Sequence, residues 1–269
     1  MGYVAPTWQN GGPPALNAKN MQDISDNLAY VSNNMVNPNL LDNWYFGNPV
    51  NQRGASGTIS TAGHFFDRWK LVSGSVTINS GGIVLNGTIA QVLEYAVGQT
   101  VTATVLTPDG VTDVTPVYDD ETKTFTVTTQ GKTIRAVKLE LGTQQTLAHQ
   151  ENGVWGLNEI PDYGEQLRKC QRYLIDLRGW YQIVQVFGEA GSWFSIQLPC
   201  DMRANPSLIT QDASRAYVMR EGGFVEGVTF NWGAGVPQAR AIIVQSSLVG
   251  QFADCLSIGP KAIFASAEL

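Results

Sequence analysis

A short apolar seam near the start of the chain is the sequence feature that most constrains its fold. Met21, Ile24, Leu28, Val31 and Met35 follow one another at spacings of 3, 4, 3 and 4 residues. This is the a/d pattern of an α-helix that packs against other helices. A stripe this narrow cannot be buried by the helix itself. The pattern therefore predicts contact with further copies of the chain or with another docking surface.

The seam is too short for its spacing alone to decide between these partners. It covers roughly two heptads, whereas a coiled coil is identified from about three to four. Self-association, packing against the chain's own β-structure and docking on another protein therefore stay open. Five asparagines between residues 17 and 34 lower the helix propensity, so the helix needs a partner. Pro38 prevents its continuation far beyond Asn37.

The composition predicts a β-rich protein with a polar, weakly charged surface. The 269 residues suit one large or two ordinary domains, and 43% of them are hydrophobic. Only 15% are charged, against about 25% in typical domains, and glycine is abundant. The net charge of −6 argues against nucleic acid as a partner and against binding to an anionic membrane.

The chain shows no targeting signal and no disulfide pattern. Its start lacks the basic and apolar regions of a signal peptide, and no apolar run approaches the roughly 18 residues of a membrane helix. We expect synthesis in a cytoplasm, no export by the usual route and no membrane insertion. The cysteines at 170, 200 and 255 are distant and odd in number, so we interpret them as small buried hydrophobes.

Alternating apolar and polar residues predict a first β-domain over residues 38–148. In one such run Val137, Leu139 and Leu141 alternate with Lys138 and Glu140. Alternation of this kind indicates a strand with one buried face and one face in solvent. Glycine, asparagine and aspartate turn signals separate the runs. Short strands with such turns are typical of a β-sandwich or jelly roll.

A second β-domain is predicted over residues 170–269, joined to the first by a linker over 149–169. The linker contains a short helix, which we expect to begin at Pro161, with Asp162 and Glu165 in its first turn. Residues 263–269 are expected to contain a last strand. The predicted fold class is mainly β. An arm and assembly helix over 1–37 precede two jelly-roll-like β-sandwich domains, which a short helical linker connects.

Several segments resemble the tail-fibre and baseplate-associated proteins of phages and prophages. TWQNGGPPALNAKNMQDI, at residues 7–24, resembles their N-terminal arm. Residues 38–54 and HFFDRWKL at 64–71 resemble the opening of a carbohydrate-binding-module-like jelly roll in those proteins, and residues 137–174 resemble its close. Their distal β-domain is resembled by the run from Leu198-Pro199 through Met202-Arg203 and Pro206, together with the end of the chain, Ala267-Glu268-Leu269.

The resemblance implies a virion structural protein. We expect a homotrimeric fibre or appendage whose N-terminal arm contacts other virion proteins and whose β-domains touch the host surface, with a glycan as the possible ligand. The resemblance also leaves open a structural decoration or connector on the head, collar or baseplate that binds no ligand. A hydrolase acting on surface polysaccharide is a third alternative.

Aromatic side chains are the candidate ligand-binding residues. Saccharides bind to aromatic faces that have a few polar groups beside them. Trp180, Tyr181, Trp193 and Trp232 stand next to glycines, which suggests exposed loops in the distal domain. The alternative is that these residues fill a core or a subunit interface.

No catalytic, metal or cofactor site is expected. The two histidines, His64 and His149, are far apart, and no nucleophile, phosphate-loop or metal-ligand motif is present. His64 is interpreted as a hydrogen-bonded structural residue and His149 as solvated. A hydrolase would need two carboxylates that flank the scissile bond, and the acidic residues show no such arrangement. Residues 119–122 (Asp-Asp-Glu-Thr) are interpreted as a hairpin turn.

One short segment, Asp67-Arg68-Trp69, belongs to the part of the chain that resembles the jelly roll. Trp69 is predicted to be a core residue. For Asp67 and Arg68 two alternatives remain, an ion pair with each other or exposure to solvent.

Overall fold

The structure, a computed structural model, describes residues 18–34, 36–187, 191–220, 223–225, 230–232, 241–246 and 255–268. Within these ranges the chain is mainly β, with antiparallel sheets and the helices α1 (Ala18–Asn34) and α2 (Tyr163–Gln171). The first strands are β1 (Thr58–Ile59), β2 (Gly63–Phe66), β3 (Trp69–Asn79), β4 (Gly82–Val92), β5 (Val101–Leu106), β6 (Val117–Asp119), β7 (Thr124–Ile134), β8 (Ala136–Leu141), β9 (Ala148–Glu151) and β10 (Val154–Leu157). No helix in the described part of the chain is long and apolar enough to cross a membrane.

Strands β1 to β8 enclose the first hydrophobic core. A six-stranded sheet has the order β1-β3-β4-β7-β6, with β2 paired to β3, and β5 pairs separately with β8. The stretch 40–46 runs beside β8, where Leu40 N donates to Leu139 O at 2.8 Å. Trp69, Phe125 and Val137 belong to one buried cluster although they come from both sheets. Trp69 is fully buried, as predicted.

Strand β8 corrects the prediction of one buried and one exposed face. Lys138 and Glu140 are 1% and 0% exposed, whereas Leu141 is 43% exposed. The chain beyond β8 covers the face that carries the two charges, because Thr146 hydrogen-bonds to both side chains. The alternation in the sequence correctly predicts that these residues form a strand. It cannot predict that a later segment of the chain folds back over the polar face of that strand.

The remaining strands surround a second core. They are β11 (Leu174–Asp176), β12 (Gly179–Phe187), β13 (Gly191–Gln197), β14 (Ser207–Thr210), β15 (Ala216–Arg220), β16 (Gly223–Val225), β17 (Phe230–Trp232), β18 (Ala241–Ser246), β19 (Cys255–Ile258) and β20 (Ile263–Ser266). One sheet has the order β16-β15-β19-β12-β13-β18-β17 and the other β11-β20-β14. The buried cluster includes Ile175, Leu256 and Ile263. Strand β20 is the predicted last strand.

Helix α2 begins later than predicted. It starts at Tyr163 because Asp162 is its N-cap, where Oδ1 accepts a 2.7 Å hydrogen bond from Glu165 N. An aspartate that caps the first turn has a non-helical backbone, so Pro161 lies outside the helix. The helix continues to Gln171. The domain boundaries after residues 37, 148 and 169 remain predictions.

The cysteines differ in their surroundings. Cys170 on α2 is a buried free thiol and Cys200 is a partly buried one. Burial raises the pKa of both thiols. The side chain of Cys255 lies outside the described residues.

Candidate assembly surface and polar sites

The predicted helix is present as α1, and its apolar seam faces solvent. Met21, Ile24 and Leu28 are 53%, 45% and 65% exposed. Helix α1 contains Val31, but the side chain of Val31 and the whole of Met35 lie outside the described residues. A helix packed on the chain's own sheets would bury its apolar stripe. One of the three alternatives from the sequence, packing of the seam against the chain's own β-structure, is therefore wrong for the three side chains that the structure describes.

Side chains of α1 outside the seam pair with one another. Lys19 Nζ lies 3.0 Å from Asp23 Oδ2, and Gln22 Nε2 donates a 2.7 Å hydrogen bond to Asp26 Oδ1. Pairs four residues apart support a solvated helix surface by a few tenths of a kcal/mol each. The polar part of α1 thus needs no partner, whereas the seam does.

Residues 36–40, which we call the stem root, fasten α1 to the first core. Asn37 N donates to Thr146 Oγ1 at 3.0 Å, and Asn37 Nδ2 donates to Leu141 O at 3.2 Å. Asn39 Nδ2 donates to Val137 O at 2.9 Å. These contacts fix the position at which the chain enters the sheet beside β8.

Two clefts open beside the stem root. The first, of about 350 Å³, is lined by Val36, Pro38 and Ile160 among others. The second, of about 370 Å³, is lined by Leu40, Tyr95 and Leu141 together with residues from the buried side. Several apolar groups here are strongly exposed: Ile160 by 74%, Tyr95 by 77% and Leu141 by 43%.

The aromatic candidates for ligand binding lie in strands rather than loops. Trp180 and Tyr181 belong to β12, Trp193 to β13 and Trp232 to β17. All three strands are part of the same seven-stranded sheet. The side chains of these four residues lie outside the described residues, so glycan contact at these positions stays a prediction.

A buried polar junction connects the two cores. We define the junction as Gln52, Arg53, His64, Asp67 and Glu268. The Asp67 carboxyl is fully buried, and Gln52 Nε2 donates to its Oδ2 at 2.9 Å. The same amide donates to the backbone oxygen of Leu174 at 2.7 Å. Burial raises the pKa of Asp67 to about 7, although the hydrogen bond from Gln52 opposes the change.

Glu268 occupies the other side of the junction. Its carboxylate accepts a hydrogen bond from Arg53 Nη2, and His64 Nδ1 lies 3.1 Å from its Oε2. His64 therefore has a carboxylate beside its ring, and the hydrogen bond itself stays a prediction. Burial lowers the pKa of His64, and the nearby Glu268 only partly offsets this effect. Arg53 Nε, Asp67 Oδ1 and Glu268 Oε1 are buried and have no hydrogen-bond partner.

Arg68 is neither exposed nor paired with Asp67, so both predicted alternatives for these two residues are wrong. Its guanidinium bonds to Asp42 Oδ2 at 3.2 Å and to Val92 O at 2.6 Å. It also lies 3.5 Å from the centre of the Tyr173 ring, a cation–π contact. Tyr173 comes after α2, so the contact adds to the attachment of the linker to the first core.

Asn43 forms a further link between distant segments. Its backbone N–H donates to Gln166 Oε1 on α2 at 2.7 Å. Its side chain accepts from Val50 N at 2.7 Å and donates to Val50 O and Asp67 O at 2.9 and 2.8 Å. The residue is 2% exposed and has a φ of 53°. Asparagine is one of the few side chains that tolerate this left-handed conformation.

Asp119 and His149, two residues considered in the sequence, both lie in the described part of the chain. The segment after Asp119 is the predicted hairpin turn between β6 and β7, where Asp119 Oδ1 accepts from Glu121 N at 2.9 Å. His149 is exposed and lies 2.6 Å from Asn158 Oδ1. Among the residues described, no three His, Cys, Asp or Glu side chains are placed to hold a metal ion.

The junction and the exposed groups at the stem root were not identified from the sequence. Arg53 and Glu268 are 215 residues apart, and no local pattern marks residues that meet over such a separation. One signal was present at the root. Ile160 is a large apolar residue that stands between Glu159 and Pro161 in the predicted linker.

No protein-family model matches the sequence, and neither a curated protein nor a solved structure matches it. Function is therefore inferred from the side chains and surfaces described above.

Proposed function

We propose that the chain is a phage virion fibre or appendage subunit, which assembles as a homotrimer and attaches to a host surface by multivalent, non-covalent binding. The observation that carries this proposal is the exposed seam of α1. Met21, Ile24 and Leu28 repeat at heptad spacing and remain uncovered. The proposal includes two jelly-roll-like β-sandwich domains joined by the helical linker, and contact of the N-terminal arm with other virion proteins.

The residue types in the seam favour more than two helices. The 3, 4, 3, 4 spacing makes Met21 and Leu28 a positions, and Ile24 and Val31 d positions. β-Branched residues at a with leucine at d favour dimers, whereas leucine at a with isoleucine at d favours trimers or tetramers. The pair at the centre of the described seam, Leu28 at a and Ile24 at d, has the second arrangement, while Met21 occupies another a position. This favours more than two helices and is compatible with the trimer that the resemblance to phage fibres implies.

In this proposal the stem is part of the binding mechanism. A single surface site for a glycan binds weakly, and linking several copies raises the avidity by about 10² to 10⁴ without new contacts. Trp180, Tyr181, Trp193 and Trp232 are the proposed glycan contacts. Binding of this kind uses no covalent chemistry, cofactor or metal.

The second candidate function is a structural connector or decoration of the virion without a ligand. It is favoured by the position of the four aromatic residues in strands of one sheet rather than in loops. Large aromatic side chains in strands commonly fill cores or subunit interfaces.

The test of assembly is the mass of the full chain in solution, measured by sedimentation equilibrium over a wide concentration range. We expect a trimer, and a monomer for the double variant Ile24→Asp/Leu28→Asp. The control Gln22→Lys/Ser25→Lys places two charges at exposed positions of α1 outside the seam and keeps a partner for Asp26, and it should stay trimeric. A wild-type chain that is monomeric at every concentration would refute the proposal.

The test of attachment is binding of the trimer to a glycan array and to intact host cells. Separate Trp180→Ala, Trp193→Ala and Trp232→Ala variants should identify which of these positions contacts the ligand. A trimer that binds no glycan and no cell would support the connector function instead.

A further inference from the structure

We infer that the two clefts beside the stem root are covered by neighbouring copies of the same chain, so that the β-heads contact one another where they leave the stem. The inference rests on the proposed assembly through α1. It adds a second interaction surface, formed by Val36, Pro38 and Ile160 at the first cleft and by Leu40, Tyr95 and Leu141 at the second.

The seam supplies too little contact area for a stable assembly. Complete burial of an aliphatic side chain contributes about 1.5 to 3 kcal/mol at about 25 cal/mol per Å², which corresponds to roughly 60 to 120 Å² for each side chain. Five seam side chains therefore supply roughly 300 to 600 Å² on each helix. A stable interface buries about 800 Å² on each partner. The heads must contribute the difference.

The stem also forces the roots of neighbouring copies together. Met35 alone separates Asn34, the last residue of α1, from Val36, so the root begins within about 7 Å of the helix end. Packed helices have axes about 8 to 10 Å apart. The hydrogen bonds of Asn37 and Asn39 hold the root against β8, so the surfaces beside it must follow the helix into the assembly.

The second cleft suits an apolar contact. The first cleft is lined mainly by polar residues, among them Glu165 and Lys169, which pair at 2.9 Å, and Ile160 is its strongly exposed apolar side chain. Ile160 is 74% and Tyr95 77% exposed, whereas large apolar side chains in a completed assembly are mostly covered.

Two cations near the second cleft already have carboxylate partners, since the buried Arg68 bonds to Asp42 and the exposed Arg172 has its Nη2 3.1 Å from Glu94 Oε1. Covering the second cleft therefore leaves neither of these two cations without a partner.

The arrangement also suits a closed ring. In cyclic assemblies other than dimers, each subunit uses one surface to contact a different surface of the next subunit. The two clefts share no lining residue and both open beside the same segment. The first cleft of each copy can therefore face the second cleft of the neighbouring copy.

The inference is tested on the full chain by the accessibility of Ile160. An Ile160→Cys variant should react with a maleimide at least tenfold more slowly in the assembled chain than in a second background that carries Ile24→Asp/Leu28→Asp. The control is Val117→Cys, at a residue of β6 that is 60% exposed, and its labelling rate should be equal in both backgrounds. Equal rates for Ile160→Cys would overturn the inference.

A second measurement uses sedimentation equilibrium of the double variant Leu141→Asp/Ile160→Asp. Its dissociation should occur at a concentration at least tenfold above that of the wild-type chain. The control Val72→Asp/Val117→Asp, at two exposed residues of the six-stranded sheet, should dissociate as the wild type does. If the seam variant dissociates and the root variant does not, the proposed function stands and the inference about the heads fails.

Discussion

The side-chain amide of Gln52 donates a 2.9 Å hydrogen bond to Oδ2 of Asp67, while Oδ1 of this fully buried carboxyl has no partner. A carboxylate without water and with few donors is strongly disfavoured relative to its protonated form. Gln52 also bonds to Leu174 O at the start of β11. The protonation of Asp67 is therefore linked to the region where the two cores meet.

The first prediction concerns the pH dependence of stability. The pKa of Asp67 is raised from 3.8 to about 7 in the folded chain, so folding favours the protonated carboxyl. The stabilisation that protonated Asp67 gives the fold is complete below about pH 4. It is lost as the pH rises from there through about 7. The Asp67→Asn variant cannot ionise. Between pH 5 and pH 8 its free energy of unfolding should therefore improve relative to wild type by about 2 to 3 kcal/mol, as measured by denaturant unfolding.

The control for this prediction is Asp109→Asn, at a carboxylate that is 73% exposed. Its unfolding should follow the wild-type pH profile. If Asp67→Asn also follows that profile, Asp67 remains ionised in the folded chain and the protonated form is not preferred.

The elements found from the sequence are those with a local signal. The heptad spacing predicts α1, and the alternation around Val137 predicts β8. The partners of Asp67 and Arg68 carry no such signal, because they are set by packing between residues that are distant in sequence. For the candidate site, the seam follows from the spacing, but its exposure does not, because the same spacing is compatible with packing against the chain's own sheets. The exposed Ile160 and Tyr95 beside the root depend on how the chain folds back.

The second prediction concerns the buried pair in β8. Lys138 Nζ lies 3.6 Å from Glu140 Oε2 and 2.9 Å from Thr146 Oγ1, and burial lowers the pKa of Lys138. The Lys138→Met variant leaves the Glu140 carboxylate buried without its cation, which should cost about 3 to 5 kcal/mol of unfolding free energy. The double variant Lys138→Met/Glu140→Leu should recover a large part of that loss.

Chemical denaturation of the single and double variants checks this prediction. Lys132→Met provides the matched control, because Lys132 Nζ also lies close to a carboxylate, 2.9 Å from Asp113 Oδ1, but at an exposed position. Exposed ion pairs contribute little, so this variant should unfold like the wild type. A Lys138→Met variant that behaves like Lys132→Met would contradict the prediction.

The third prediction concerns the close approach of β3 and β4. Gly74 pairs with Gly87 across the two strands and has a φ of 82°. A Cβ atom at Gly74 would lie 2.1 Å from Asn86 O, so Gly74→Ala must separate the strands. Gly57 has a similar φ of 68° but nothing within 4 Å of its Cβ position. The thermal midpoint should therefore fall much further for Gly74→Ala than for Gly57→Ala, and equal shifts would exclude the steric explanation.

The fourth prediction separates hydrogen bonding from backbone strain at Asn43. Replacement by alanine removes the three side-chain bonds to Val50 and Asp67 and places alanine in the left-handed region. Each buried group left without a partner costs about 1 to 3 kcal/mol, and the backbone conformation adds about 1 to 2 kcal/mol. We expect Asn43→Ala to lower the free energy of unfolding by at least about 3 kcal/mol.

Asn152 offers a matched comparison, since it is exposed, lies in the turn between β9 and β10 and has a φ of 50°. Asn152→Ala should lose only the backbone contribution of about 1 to 2 kcal/mol. A third variant, Asn43→Gly, relieves the strain but still loses the hydrogen bonds, so its loss should lie between the other two. If Asn43→Ala and Asn152→Ala are equally destabilised in denaturant unfolding, the side-chain bonds of Asn43 contribute nothing, and its place in the fold is set by backbone conformation alone.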